Sequence, residues 1–207
     1  MARVSEHFLE HYDPILKQAI HKPILFVVDM IEGFVNVGAL HDQAIQSVTP
    51  SILKVLEEED ARVIFVADSH PPKTREFNSY PSHCVIGTKE SEILPEFKKY
   101  AYEVMHKNST NTFTSPDFQT FLTQRIDAYE DIIIMGCCSD ICILQFALCL
   151  NAWLNEHNET SKRIIIPIDC IETFHIEGVH DAMEHNEYSI KNMESNGITI
   201  VTHIQKG

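Results

Sequence analysis

Cys142 closes the stretch Gly136-Cys137-Cys138-Ser139-Asp140-Ile141-Cys142, which lies between an apolar β-branched run and a segment of helical length. A cysteine at such a strand-to-helix turn meets the free amides and the positive end of the helix, which lower a thiol pKa and favour the nucleophilic thiolate. Lys107 would push the same way, and Asp29, at the end of the first apolar run, is placed to accept the thiol proton. Each residue alone has a plain structural reading. A cysteine in an apolar helix fills core, a carboxylate after a buried strand caps a helix, and a lysine solvates a surface. Their joint placement at strand ends points to nucleophilic catalysis.

A second group is Asp68, His70, Glu76 and His83, two imidazoles and two carboxylates within sixteen residues. Mixed nitrogen and oxygen donors of this kind suit Zn, Mn or Fe in the +2 state, with positions left open for water or substrate. The other histidines considered, His106, His175, His180, His185 and His203, show no comparable spacing and read as surface or core. A G-x-S-x-G elbow is missing, as are the G-x-x-x-x-G-K and G-x-G-x-x-G phosphate loops.

The elements that must hold these groups alternate. Apolar runs at Ile24 to Asp29, Arg62 to Ala67, Asp131 to Met135, Arg163 to Ile168 and Ile198 to Thr202, with a weaker one at Ala101 to His106, read as strands covered on both faces. Helices are expected after Thr49-Pro50, after Ser115-Pro116, over Asp140 to Glu156 and over Gly178 to Ser195, the last stopping at Asn196-Gly197. The pattern predicts an α/β doubly wound, mostly parallel sheet of order 3-2-1-4-5-6, with helices on both faces in three α/β/α layers. That order brings Asp29, Asp68, His70, Lys107 and Cys142 to one edge of the sheet. Residues 1–207 are expected to form one domain, with residues 1–22 an N-terminal helical extension whose Phe8, Tyr12, Ile15, Leu16 and Ile20 fall at helical spacing. Ser69 to Pro95 is the one long connection without an obvious element, and such loops are commonly functional.

These motifs, in this order, resemble the isochorismatase-like cysteine hydrolases and, within them, the nicotinamidase (pyrazinamidase) branch. The likeness spans roughly Ile24 to Val201. It rests on the strand ending in Asp29 with Phe34 five residues on, Asp68-Ser69-His70, Tyr80-Pro81-Ser82-His83-Cys84 followed by Gly87-Thr88, Lys107, and Gly136 to Ile143. The resemblance implies that Cys142 is the nucleophile, Asp29 its base and Lys107 the charge holding both. It implies a cis peptide between Cys137 and Cys138, an oxyanion hole from the amides of Cys138 and Cys142, and Phe34 and Tyr80 sandwiching the substrate ring. Asp68, His70, Glu76 and His83 would hold one divalent ion, zinc first, with manganese or iron as alternatives. The implied reaction is hydrolysis of nicotinamide to nicotinate and ammonia through a cysteine thioester, feeding NAD salvage, with pyrazinamide also a substrate. Two departures from the branch stand out: Ile31 where many members carry a polar residue, and the paired Cys137-Cys138.

Composition narrows the remaining classes. The 207 residues carry 16 basic and 30 acidic side chains, a net charge of -14, which disfavours phosphate backbones and anionic membranes as partners. Apolar residues make up 44% and charged residues 22%, the balance of a globular chain. Six cysteines without a CxxC pair suit reduced thiols, and the charged first ten residues are unlike a signal peptide, so a cytoplasmic location is expected. A small-molecule amide substrate and a homo-oligomer are the expected partners. Two other readings stay open. The same triad could act on another small carboxamide or carbamoyl compound, or Cys137, Cys138 and Cys142 could form a thiol redox or sensing site.

Overall fold

Unbroken apolar strands need cover on both faces, and the architecture supplies it. The computed structural model describes residues 3–207. In chain order the elements are α1 (Glu6–Leu9), β1 (Ile15–Leu16), β2 (Ile24–Val28), α2 (Glu32–Val35), α3 (Thr49–Glu58), β3 (Arg62–Asp68), β4 (Val104–Lys107), α4 (Pro116–Gln124), β5 (Asp131–Cys137), α5 (Leu144–Glu156), β6 (Arg163–Pro167), β7 (Ile171–Glu172), α6 (Ala182–Ser195), β8 (Thr199–Val201) and β9 (Ile204–Gln205). The main sheet runs β4-β3-β2-β5-β6-β8, and β7 pairs with β5 past the end of β6. All of these pairings are parallel. With the short strands left out this is the order 3-2-1-4-5-6 that the sequence predicts.

Successive residues of a strand point to opposite faces, so alternate side chains feed two separate cores. Phe26, Val28, Ile64, Val66, Ile132 and Ile134 face α4, α5 and α6. On that side the Phe26 ring meets Phe118, Phe121 and Phe146 edge-on, with centroids 5.4–5.8 Å apart. Leu25, Val27, Phe65, Ala67, Ile133 and Met135 face α2 and α3. Every residue of β2 and β5 is buried, which makes this strand pair the rigid centre of the sheet. Gly136 is required there. Its φ of +117° is one that L side chains rarely adopt, and a Cβ would run into the Val28 carbonyl of the neighbouring strand.

Local signals hold at some ends and fail at others. Ser115 caps α4 by accepting from the Phe118 amide at 3.1 Å, with Pro116 in the first turn. Thr49 does not cap α3, because a 3-10 turn over Gln43–Val48 runs straight into it. α6 starts at Ala182 rather than Gly178, capped by Asp181, and its end passes through Gly197 at φ +89°. The expected N-terminal helix over residues 1–22 is replaced, within the described residues, by the short α1, strand β1 paired with β9, and a 3-10 turn at Lys17–Ala19; Met1 and Ala2 lie outside the described residues. Asp13-Pro14 explains the change, since proline lacks an amide hydrogen and bars helical geometry in the residue before it. The apolar residues then part, Phe8 into one core and Ile15 and Ile20 into the other. Among the described residues no helix is long and apolar enough to cross a membrane.

Candidate active site

The strand order reverses between β2 and β5, which opens a crevice beyond their carboxyl ends. Asp29 follows β2 directly. Its backbone lies in the left-handed region at φ +55°, a conformation costing a non-glycine residue about 1–3 kcal/mol and commonly found at functional sites. The Asp29 amide donates to the Val66 carbonyl at 2.8 Å, and Asp29 Oδ1 accepts from the Asp68 amide at 3.1 Å. These bonds fix the carboxylate over the β2–β3 pair.

Asp68 and Lys107 end β3 and β4 and are register partners, so their side chains leave the sheet on the same face. Lys107 Nζ donates to Asp68 Oδ1, lies 2.8 Å from Asp29 Oδ2 and lies 3.9 Å from Cys142 Sγ. All four groups are buried, Asp29 and Lys107 at 0% and 2% exposure. An ammonium in such a place costs several kcal/mol unless it is paired, and two carboxylates pair it. Burial works against the Lys107 charge, but Asp29 and Asp68 hold its pKa well above the usual lysine range. Burial pushes the Asp29 carboxyl up to about 6 against the opposing pull of Lys107. Asp68 is also opposed by burial, yet the Lys107 ammonium beside it holds it well below the ordinary carboxylate range.

Cys142 does not open a regular helix. It lies in a wide turn over Ser139–Ile143, in which the Ile143 amide donates to the Cys138 carbonyl at 3.1 Å, and α5 begins only at Leu144. Burial pushes its thiol well above the usual range, and the carboxylates of Asp29 and Asp68 add to this against Lys107. The helix start expected to lower the thiol pKa does not form at Cys142, and burial above all opposes the pull of Lys107. Asp29 and Cys142 both lie beside Lys107 Nζ, which places the Asp29 carboxylate as the group to which the thiol proton can pass. The Cys137–Cys138 peptide is cis, and Cys137 Sγ donates to the Asp29 carbonyl at 3.2 Å.

Beside this group, Asp68, His70, Glu76 and His83 converge. His70 Nε2 lies 3.5 Å from Asp68 Oδ2 and 3.8 Å from Glu76 Oε1; His83 Nε2 lies 3.7 and 3.8 Å from the same two oxygens. These gaps exceed hydrogen-bond lengths. They come close to the edge of a donor tetrahedron around a cation, about 3.4 Å for donors roughly 2.1 Å from the centre. His70 Nε2 is fully buried without a hydrogen-bond partner, an orphan that a cation would satisfy. The four residues thus fit a divalent ion. The long loop that supplies three of them is ordered by 3-10 turns at Arg75–Asn78, Lys89–Ser91 and Pro95–Phe97, and by a bridge between His70 and Val85.

Cys142 from the first group and Asp68, Glu76 and His83 from the second line one cavity of about 430 Å³, whose wall also includes Phe34, Tyr80, Cys138, Phe174 and His180. Phe34 and Tyr80 stand on the metal-type side, with ring centroids 5.8 and 6.2 Å from His83. The far wall was not legible from histidine spacing. His180 stacks on Phe174 at 3.9 Å, donates from Nδ1 to the Phe174 carbonyl at 2.9 Å, and pairs through Nε2 with Asp140 Oδ2 at 2.8 Å. His185 joins the same oxygen at 3.1 Å. Separations this short are hydrogen-bond lengths, and both ring nitrogens of His180 have acceptors, so this trio is a bonded wall rather than an open ligand set. The sequence signal was Asp140 itself, two residues before Cys142.

A family model described as the isochorismatase domain matches residues 23–205. The chain belongs to the isochorismatase family. Nicotinamidase 1 of Arabidopsis thaliana is 27% identical over 156 residues, which covers 67% of this chain and 64% of that protein, so the chain matches slightly under two thirds of that relative's length. The nicotinamidase/pyrazinamidase of Bacillus subtilis shares the fold with a TM-score of 0.70 at 21% identity, over 87% of this chain and 100% of that one. The pyrazinamidase of Pyrococcus horikoshii, solved in complex with zinc, gives 0.67 at 21% identity, over 87% and 99% of the two chains.

Proposed function

We propose that this isochorismatase-family chain is a metal-dependent amidohydrolase that converts nicotinamide to nicotinate and ammonia through a thioester on Cys142, and that it accepts pyrazinamide as well. The observation that carries the reading is that Cys142, with Lys107 and Asp29 buried behind it, and Asp68, Glu76 and His83 of the four-donor cluster line one cavity. The nicotinamidase and pyrazinamidase relatives support the same choice of substrate.

The chemistry follows from the proton positions. Asp29 takes the Cys142 proton as Sγ bonds to the amide carbon, and the carbonyl electron pair moves onto oxygen. The backbone amides of Cys138 and Cys142 receive that oxyanion, each worth about 3 to 4 kcal/mol at comparable sites. Collapse breaks the C–N bond, Asp29 returns its proton to the leaving nitrogen, and ammonia departs. Water then adds to the thioester while Asp29 takes one of its protons. Collapse breaks the C–S bond, and the proton returns to sulfur as nicotinate leaves. Lys107 stays charged throughout and keeps Asp29 and Cys142 in register.

Asp68, His70, Glu76 and His83 would hold the ion, zinc in the first instance. When bound, it supplies open positions for a ring nitrogen and water, and so orients the substrate. Phe34 and Tyr80 would flank the ring. The product would feed pyridine salvage toward NAD.

The test is ammonia release from nicotinamide by the purified protein as isolated, after chelation, and after adding back zinc, manganese or iron. Chelator-sensitive turnover restored by metal is expected. Turnover confined to a carbamoyl compound, with nicotinamide inert under every metal, would move the substrate while keeping the triad.

A further inference from the structure

We infer that Asn108 is a positioning residue that sets the tautomer and orientation of His70 and so makes the four-donor cluster competent to bind a cation. The inference rests on reading Asp68, His70, Glu76 and His83 as metal ligands, and adds a residue outside that set. A neutral imidazole can offer Nε2 as a ligand only when the ring proton sits on Nδ1, and the partner of Nδ1 decides this. His83 has a backbone partner, since its Nδ1 bonds the Pro81 carbonyl at 2.8 Å. His70 has only a side chain for the purpose: its Nδ1 bonds Asn108 Oδ1 at 2.8 Å.

The amide has the orientation this requires, with Oδ1 toward His70. Asn108 Oδ1 also accepts from the Thr74 hydroxyl at 3.0 Å, while the residue as a whole is exposed, so its amide NH2 group can meet water. Were the amide reversed, Nδ2 would donate to His70 Nδ1 and the ring proton would move to Nε2, facing Asp68. With Oδ1 inward, Nε2 presents a lone pair to the space between Asp68 and Glu76, where it is buried and unpartnered. The segment that ends β4 thus serves both halves of the site. Lys107 reaches the triad, Asn108 holds His70, and the Thr110 amide donates to Glu76 Oε2 at 3.2 Å, leaving Oε1 toward the histidines.

The experiment measures zinc affinity by competition with a chromophoric chelator, and the visible absorption of the cobalt-loaded protein, for the wild type, Asn108→Leu, Asn108→Asp and His83→Ala. Circular dichroism of the metal-free proteins controls for folding. Asn108→Leu keeps the bulk but removes the acceptor, and should weaken zinc by roughly 10–100-fold and alter the cobalt spectrum. Asn108→Asp restores an acceptor and should bind at least as tightly as the wild type. If Asn108→Leu is not folded, Asn108→Ala replaces it with the same expectation. An affinity within twofold of the wild type for the folded acceptor-less variant overturns the role of Asn108, while loss of binding in His83→Ala shows that the ligand reading still stands. A wild type that binds no ion overturns both.

Discussion

Lys107 Nζ sits 2.8 Å from Asp29 Oδ2 and simultaneously donates to Asp68 Oδ1, so a single ammonium joins the carboxylate beside the thiol to the carboxylate of the four-donor cluster. The link is built by the sheet: Asp68 and Lys107 are register partners on adjacent strands, and Asp29 ends the next strand over. The two halves of the site therefore share one electrostatic support.

Replacing Lys107 by Met should remove that support from both halves. Two buried carboxylates would face each other without a cation, a defect that typically costs 3–5 kcal/mol. Turnover should fall by roughly 10²–10⁴-fold. Adding Asp29→Asn to Lys107→Met should recover part of the lost stability without recovering turnover. Thermal and urea unfolding of the single and double variants checks this. A Lys107→Met protein as stable as the wild type would show that the ammonium does not balance the carboxylates.

The pH profile carries a sign that follows from burial. Asp29 can take a proton only when ionised, and its pKa lies at about 6, above the ordinary carboxylate value. Above that pH the base is available; below it, the ionised fraction falls tenfold per pH unit. The kcat/KM profile should thus show an acidic limb of unit slope near pH 6 that disappears with the activity in Asp29→Asn. A profile flat down to pH 4.5 would mean that another group takes the proton.

Much of this was legible because the groups lie at strand ends. Asp29, Asp68 and Lys107 stand where a buried apolar run stops, and a parallel sheet sends all such ends to one edge. The His70 and His83 pair was visible from short-range spacing. What escaped was set by contacts between distant segments. His180 and Phe174 line the cavity through contacts such as the His180 bond to Asp140, 40 residues earlier in the chain. A helix start at Cys142 can be read from sequence, whereas the wide turn that replaces it and the burial that raises its thiol depend on packing. In the N-terminal segment the helical spacing of apolar residues is overridden by Asp13-Pro14, which stops the helix.

The wall held by His180 should influence binding more than chemistry. Replacing His180 by Ala removes the stack on Phe174 and two hydrogen bonds, and should raise KM by roughly 2–10-fold with kcat nearly unchanged. Steady-state kinetics on nicotinamide checks this. A loss of kcat comparable to that from removing Cys142 would place His180 in the chemistry instead.

Chelation should lower stability as well as activity. Metal that binds only the folded chain raises the unfolding midpoint in proportion to the logarithm of its concentration. Zinc titrated into metal-free protein should therefore raise the melting temperature, and His83→Ala should remove the effect. A melting temperature independent of zinc in the wild type would contradict the ligand set.

The most direct test of the account is the mass of the intact protein, acid-quenched within the first turnovers on nicotinamide. The wild type should carry a nicotinoyl adduct that maps to Cys142 and disappears as substrate is exhausted, and Cys142→Ala should carry none and release no ammonia. Steady ammonia release by Cys142→Ala, or wild-type turnover in which no adduct forms on Cys142 even when hydrolysis of the thioester is made limiting, would contradict it.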